Sequence, residues 1–99
     1  MHYLLFYDYA PDYMERRQMY RSEHLRLAWQ SHARNELVLG GALEDPVDGG
    51  VLLFNGESPE VAQDFARSDP YVRNRLVTAW RVRPWRTVAG GDAASPVHP

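Results

Sequence analysis

Ser68-Asp69-Pro70-Tyr71, with the segment Val72 to Trp85 that it feeds, is the stretch on which the fold turns. Proline forces the residue before it away from helical geometry, so Asp69-Pro70 ends one helix and starts another. Asp69 then stands as N-cap and Pro70 at the first helical position, over a short helical turn to Arg75. Val77 to Val88 reads as the last strand, with Thr78, Trp80 and Val82 on one face and Ala79, Arg81 and Arg83 on the other. Pro84 cannot donate to a ladder, which predicts an edge strand or a bulge there.

Upstream, Ser58-Pro59-Glu60 opens a helix that runs to Arg67 and buries Val61, Ala62, Phe65 and Ala66. Before it, Leu37–Leu43 and Val51–Phe54 flank the dense turn signal Asp45-Pro46-Val47-Asp48-Gly49-Gly50, which predicts an antiparallel hairpin. Gly40-Gly41 marks a bulge or a close backbone approach. A long helix spans Asp12 to Asn35, free of Gly and Pro and rich in good helix formers. Asp12 and Glu15 resemble a capping box at its start. Tyr13, Tyr20, His24, Leu27 and Ser31 fall on one side of it, and Met14, Arg17, Arg21, Leu25, Ala28 and His32 form the neighbouring stripe. Residues 2–9 are the first strand, apolar on both faces: Leu4 and Phe6 on one, Tyr3, Leu5 and Tyr7 on the other.

The order is β-α-β-β-α-β, which predicts an α+β chain: a ferredoxin-like sandwich with a four-stranded antiparallel sheet. The first and third strands are central in that arrangement, and these are the two that are apolar on both faces. Helices cover only one face of the sheet. Burying the other would contribute roughly 1.5–3 kcal/mol for each large apolar side chain, so a homodimer packed sheet to sheet is expected. Residues 1–90 form the domain, and the Gly, Ala, Ser and Pro of residues 91–99 read as a flexible C-terminal tail.

The 99 residues carry eleven basic and thirteen acidic side chains, for a formal net charge of −2. That balance argues against nucleic acid as a partner, because phosphate neutralisation needs an excess of cations. There is no cysteine, hence no disulfide, thiolate nucleophile or thiolate zinc site. The apolar start, His2 to Tyr7, is too short to span a bilayer and no cleavage site follows it. A cytoplasmic protein that does not engage membranes is expected. His2, His24, His32 and His98 lack metal-ligand spacing, and no glycine-rich phosphate loop or nucleophile elbow is present. The reading left is chemistry without metal or cofactor.

Several pieces taken together resemble the YCII-related (YciI-like) proteins. They are Arg21-x-x-His24-Leu25 on the long helix, Gly41-Ala42-Leu43 and Asp45-Pro46-x-Asp48-Gly49 in the hairpin, Asp69-Pro70-Tyr71-Val72, and the closing Trp80-Arg81-Val82-Arg83-Pro84-Trp85. The similarity covers roughly residues 3–90. It implies ferredoxin-like subunits that pair into a dimeric α/β barrel. It also implies a pocket in which the helix histidine, here His24, lies close to the aspartate of the Asp-Pro-Tyr motif, here Asp69, as a catalytic pair. Members linked to dehydrochlorination of small aromatic compounds are known in that family. Arg75 departs from the pattern, which more often has Gly before the Leu-Val of the last strand.

His24 can shuttle a proton because imidazole titrates near neutrality, and a carboxylate beside it fixes its tautomer. The bland reading is a capping Asp69 and a partly buried His24 satisfied by some neighbour. The two roles of Asp69 are compatible, since a carboxylate has two oxygens. Arg21 reads either as a substrate-binding cation or as a surface partner of an acid. Tyr71 reads either as a substrate-binding hydroxyl or as a packing anchor. Arg81, Arg83, Trp80 and Trp85 read as structural. Three functions compete. The first is a cofactor-independent lyase, isomerase or dehydrochlorinase-like enzyme acting on a small molecule in a cleft between the first helix and the Asp-Pro-Tyr loop. The second is a non-catalytic dimeric module that binds a small ligand or a partner in the same cleft. The third, oxygenase chemistry without a cofactor, has no residue set that singles it out.

Overall fold

A computed structural model describes all 99 residues. Its elements are β1 (His2–Tyr9), α1 (Tyr13–Ala33), β2 (Leu37–Ala42), β3 (Gly49–Asn55), α2 (Glu60–Ser68), α3 (Pro70–Arg73) and β4 (Val77–Trp85). The strands form one antiparallel sheet in the order β2-β3-β1-β4, so the strands apolar on both faces are the central ones. This is the ferredoxin-like α+β arrangement expected from the order of elements.

Register decides what the helices cover. Leu5 pairs with Leu52 and Val82, and Tyr7 with Gly50 and Trp80. That row, with Tyr3 and Phe54, faces α1 and α2 and makes the core with Ala62, Phe65, Ala66 and Leu76. The Phe54 and Phe65 rings meet with centroids 5.3 Å apart. The opposite row, Leu4 and Phe6 against Val51 and Leu53, has no helix over it and stays half-buried. There the Arg81 guanidinium lies 4.7 Å from the centroid of Phe6, a cation–π contact that covers part of the ring.

The helices α1 and α3 end the same way. At the end of α1 the Asn35 amide donates to the His32 carbonyl and the Glu36 amide to that of Ser31. At the end of α3 the Arg75 amide donates to Val72 and the Leu76 amide to Tyr71. These are Schellman motifs, which need a left-handed residue at the turn, and Asn35 and Arg75 supply it with φ of 64° and 63°. The backbone at this position favours Gly, and Arg75 holds it under mild strain.

Two local expectations are corrected, and the alternative left open at Gly40-Gly41 is decided. Asp12 makes no capping bond. Its backbone is already near-helical (φ −96°, ψ 16°), so the side chain cannot reach back over the first turn. It lies 4.0 Å from Arg16 instead. The bulge in β2 falls at Val38, between Leu37 and Leu39, whereas Gly40 marks a close approach: a Cβ there would meet Leu52 at 3.2 Å. Finally, β4 stops at Trp85 and not at Val88. Beyond it Thr87 is buried, bonded to the His2 ring at 2.7 Å and to the Ala94 amide at 2.7 Å, and the chain turns back with Val97 donating to Val88. No helix is long and apolar enough to cross a membrane.

Candidate functional site

Asp69 is the buried centre of the helix-covered layer. It sits between α2 and α3 with extended geometry (φ −72°, ψ 123°), as the following proline requires. Its side chain is fully buried, yet every hydrogen-bonding need is met. Oδ1 accepts the Tyr71 amide at 3.0 Å, the N-cap bond of α3. Oδ2 accepts the Tyr7 hydroxyl from β1 at 2.7 Å. The His24 ring from α1 approaches both oxygens through Nδ1, at 2.9 and 3.0 Å. A buried carboxylate is costly unless paired and hydrogen-bonded, and here three elements of the fold supply the donors.

The arrangement sets the chemistry of His24. An ionised carboxylate only accepts, so Nδ1 carries the proton and donates it to Asp69. Nε2 makes no hydrogen bond within the chain, and the side chain is 17% exposed. Tyr71 holds the ring from one side: the two rings stack with centroids 3.9 Å apart and an interplanar angle of 9°. The Asp-Pro-Tyr motif therefore grips one histidine twice, at its edge through Asp69 and on its face through Tyr71.

A cleft of about 500 Å³ opens beside this pair, bounded by α1, the β2–β3 hairpin and the end of β1. Arg17, Arg21, His24 and Trp29 line it from the helix, and Tyr7, Tyr9, Tyr13 and Tyr71 form an aromatic wall. Tyr9 stacks on Tyr13 at 3.7 Å, and Tyr13 meets Tyr71 edge-on at 5.6 Å. Gly50 makes room for this wall, since a Cβ there would lie 2.5 Å from the Tyr9 hydroxyl. On the hairpin side the cleft is lined by the small residues Gly40, Gly41 and Ala42 together with Leu37, Val38, Leu39 and Leu52. Burial raises the pKa of Tyr7 far above the usual phenol value, and the Asp69 charge and hydrogen bond raise it further. Burial likewise raises Tyr9, with Tyr13 adding to it, and Tyr71. All three stay protonated donors at neutral pH.

The structure brings His24 and Asp69 into contact, stacks Tyr71 on the pair, and puts Arg21 on the same wall of the cleft. Tyr7, Arg17 and Trp29 were not singled out from sequence. The tyrosine alternation of β1, which points Tyr7 to the same side as Tyr3 and Leu5, was the available signal for the first. No group of three or more His, Asp or Glu side chains is placed to hold a metal ion.

The YCII-related domain family matches residues 1–86. The chain belongs to that family. A YCII-related chain of this length also resembles an uncharacterised protein of Haemophilus influenzae, with 29% identity over 97 residues, covering 89% of this chain and 99% of that one. Among solved structures it superposes on 5-chloro-2-hydroxyhydroquinone dehydrochlorinase (TftG) from Burkholderia phenoliruptrix, bound to 2,5-dihydroxybenzoquinone. The TM-score is 0.71 at 22% identity, over 88% of this chain and 95% of that one. An Agrobacterium tumefaciens protein matches with a TM-score of 0.58 at 15% identity, over 95% of this chain and 98% of that one. At these identities the likeness establishes the fold, a ferredoxin-like α+β sandwich.

Proposed function

We propose that this YCII-related protein is a small-molecule enzyme that needs no cofactor, with His24 as general acid/base and Asp69 as the group that orients it. The observation that carries the reading is the buried Asp69 carboxylate held 2.9 and 3.0 Å from His24 Nδ1, which leaves Nε2 as the free nitrogen of a cleft-lining ring. The dehydrochlorinase activity of TftG, a protein of the same fold, supports an elimination on a compact ring. In such a step Nε2 removes a proton from a carbon next to an electron-withdrawing group. Where the ring is aromatic, it first takes a keto form in which the carbon bearing the leaving group is tetrahedral, and the proton removed is that of a ring hydroxyl. In either case the electron pair released shifts to form the new double bond and expels the leaving group as an anion, and the imidazolium passes its proton to water. Returning the proton to a different atom, with no leaving group, makes the same pair an isomerase. Arg21 binds the substrate in this reading. Tyr71 acts through its stack on His24 and through its hydroxyl at the cleft wall.

The working form is a homodimer joined through the uncovered sheet face, where Leu4, Phe6, Val51 and Leu53 gather. The test is chloride release from 5-chloro-2-hydroxyhydroquinone and related halogenated hydroxyhydroquinones by the intact protein and by His24→Gln. Turnover that falls by about 10²–10⁴-fold in the variant is the expected result. Unimpaired turnover in His24→Gln removes the acid/base role. Tight binding with every compound recovered unchanged makes the cleft a binding module.

A further inference from the structure

The cleft beside His24 is cationic in a chain whose formal net charge is −2. Arg17 and Arg21 line it, and no Asp or Glu side chain does. The carboxylate nearest to His24, Asp69, is fully buried and already engaged by Tyr7, His24 and the Tyr71 amide. Elsewhere Arg16 donates to the Asn74 carbonyl at 2.9 Å, Arg34 pairs with Glu36 at 3.0 Å and Arg81 with Asp8 at 3.8 Å, while Arg26, Arg73, Arg75, Arg83 and Arg86, which have no such partner, are exposed to solvent. Arg17 and Arg21 form neither an ion pair nor a hydrogen bond, although both are half-buried. Partly desolvated guanidinium groups without a counter-charge are an arrangement that an anion would complete.

Their placement defines the shape of that anion. Four residues separate them on α1, so their side chains rise one turn apart on one face. The Arg17 guanidinium lies 5.9 Å from the centroid of Tyr13, against the aromatic wall. The charges of both arginines act on the Tyr71 phenol, against the upward push of burial, and Tyr71 is the ring that stacks on His24. His24 follows Arg21 by three residues, about 4.5 Å along the helix axis, roughly the span of a single six-membered ring. The tyrosines and Trp29 among the remaining lining suit a flat ring, and Leu25, Val38 and Leu39 add apolar surface beside them.

We infer that Arg17 and Arg21 form an anion-docking fork, and that the cleft takes planar aromatic or quinonoid rings that carry an ionised oxygen substituent. The fork holds the oxyanion and presents the ring edge to His24. The inference rests on the reading of this cleft as the reaction site, and it makes Arg17 a specificity residue along with Arg21.

The experiment compares 2,5-dihydroxybenzoate with its uncharged amide, 2,5-dihydroxybenzamide, by calorimetric titration of the full-length protein. The anion is expected to bind at least tenfold more tightly at low ionic strength, with the gap narrowing as salt rises. Arg17→Gln and Arg21→Gln should each lose roughly ten- to a hundredfold for the anion, the range of a charge-assisted hydrogen bond, with little change for the amide. Arg17→Lys should restore the salt-dependent part, which a merely structural role would not predict. Equal affinity for the two compounds, no binding of the anion, or a preference that survives the double Arg17→Gln/Arg21→Gln variant overturns the inference. His24→Gln should keep the preference intact. If it keeps full turnover as well, the acid/base reading fails while the anion fork stands.

Discussion

On one face of the sheet, Tyr7 from β1 lies under the helices and gives its hydroxyl to a buried carboxylate. Its neighbour Phe6, one residue earlier and on the opposite face, has only the Arg81 guanidinium over it. The helix-covered face carries a polar cluster in which each buried group is satisfied within one chain. The open face carries apolar side chains with no such network. The difference teaches where each kind of specificity comes from. A hydrogen-bonded carboxylate fixes geometry to tenths of an ångström, whereas an apolar patch fixes only that something must cover it.

Breaking the polar side should have the largest effect. Asp69→Ala strands the Tyr7 hydroxyl and the Tyr71 amide in a buried site, and is expected to destabilise the fold by about 3–5 kcal/mol in urea titrations. His24→Ala, at the edge of the same cluster, should cost only about 1–2 kcal/mol. Equal losses in the two variants would mean that Asp69 is not the centre of the cluster.

On the open side, Phe6→Asp puts a charge where the second sheet is proposed to pack. Lost burial of about 1.5–3 kcal/mol in each copy should raise the dimer dissociation constant at least a hundredfold. The mass in solution, measured by light scattering across dilutions, reads this directly. An unchanged mass would place the interface elsewhere.

Alkaline titration sharpens the contrast further. The folded chain holds the protons of Tyr7, Tyr9 and Tyr71 more tightly than the unfolded chain does. The stability this contributes is complete below about pH 10, where unfolded tyrosine titrates, and is lost as pH rises above it. Tyrosinate absorbance should therefore account for no more than half of the six tyrosines until the chain unfolds. The smallest effect belongs to a site on neither face. Arg75→Gly relieves a left-handed position and should stabilise the fold by about 1 kcal/mol, leaving dimer mass and cleft binding unchanged.

Much of this was legible in the sequence because it depends on local chemistry. Proline after Asp69 dictates the helix break and the cap, and the two-sided apolar character of β1 and β3 dictates their central place. Tyr7 was not legible as a partner of Asp69, because a tyrosine on the inner face of a strand reads as core and only the packing of α3 brings the carboxylate to it. Arg17 and Trp29 escaped for a similar reason. Arg17 stood in the stripe beside the inner face of α1 and Trp29 in neither stripe, and nothing in the sequence shows that the β2–β3 hairpin stands off from that side and leaves a cleft. The absent Asp12 cap and the bulge at Val38 were set by backbone angles and strand register, which side-chain identity does not encode.

The central claim is that Asp69 fixes His24 with Nδ1 protonated and Nε2 free. Nitrogen NMR of the His24 ring tests it most directly, on the neutral imidazole and in the same titration of Asp69→Asn. The account predicts the Nδ1–H tautomer in the native protein and a loss of that preference in the variant. A native ring that carries its proton on Nε2, or a tautomer unchanged by Asp69→Asn, would contradict it.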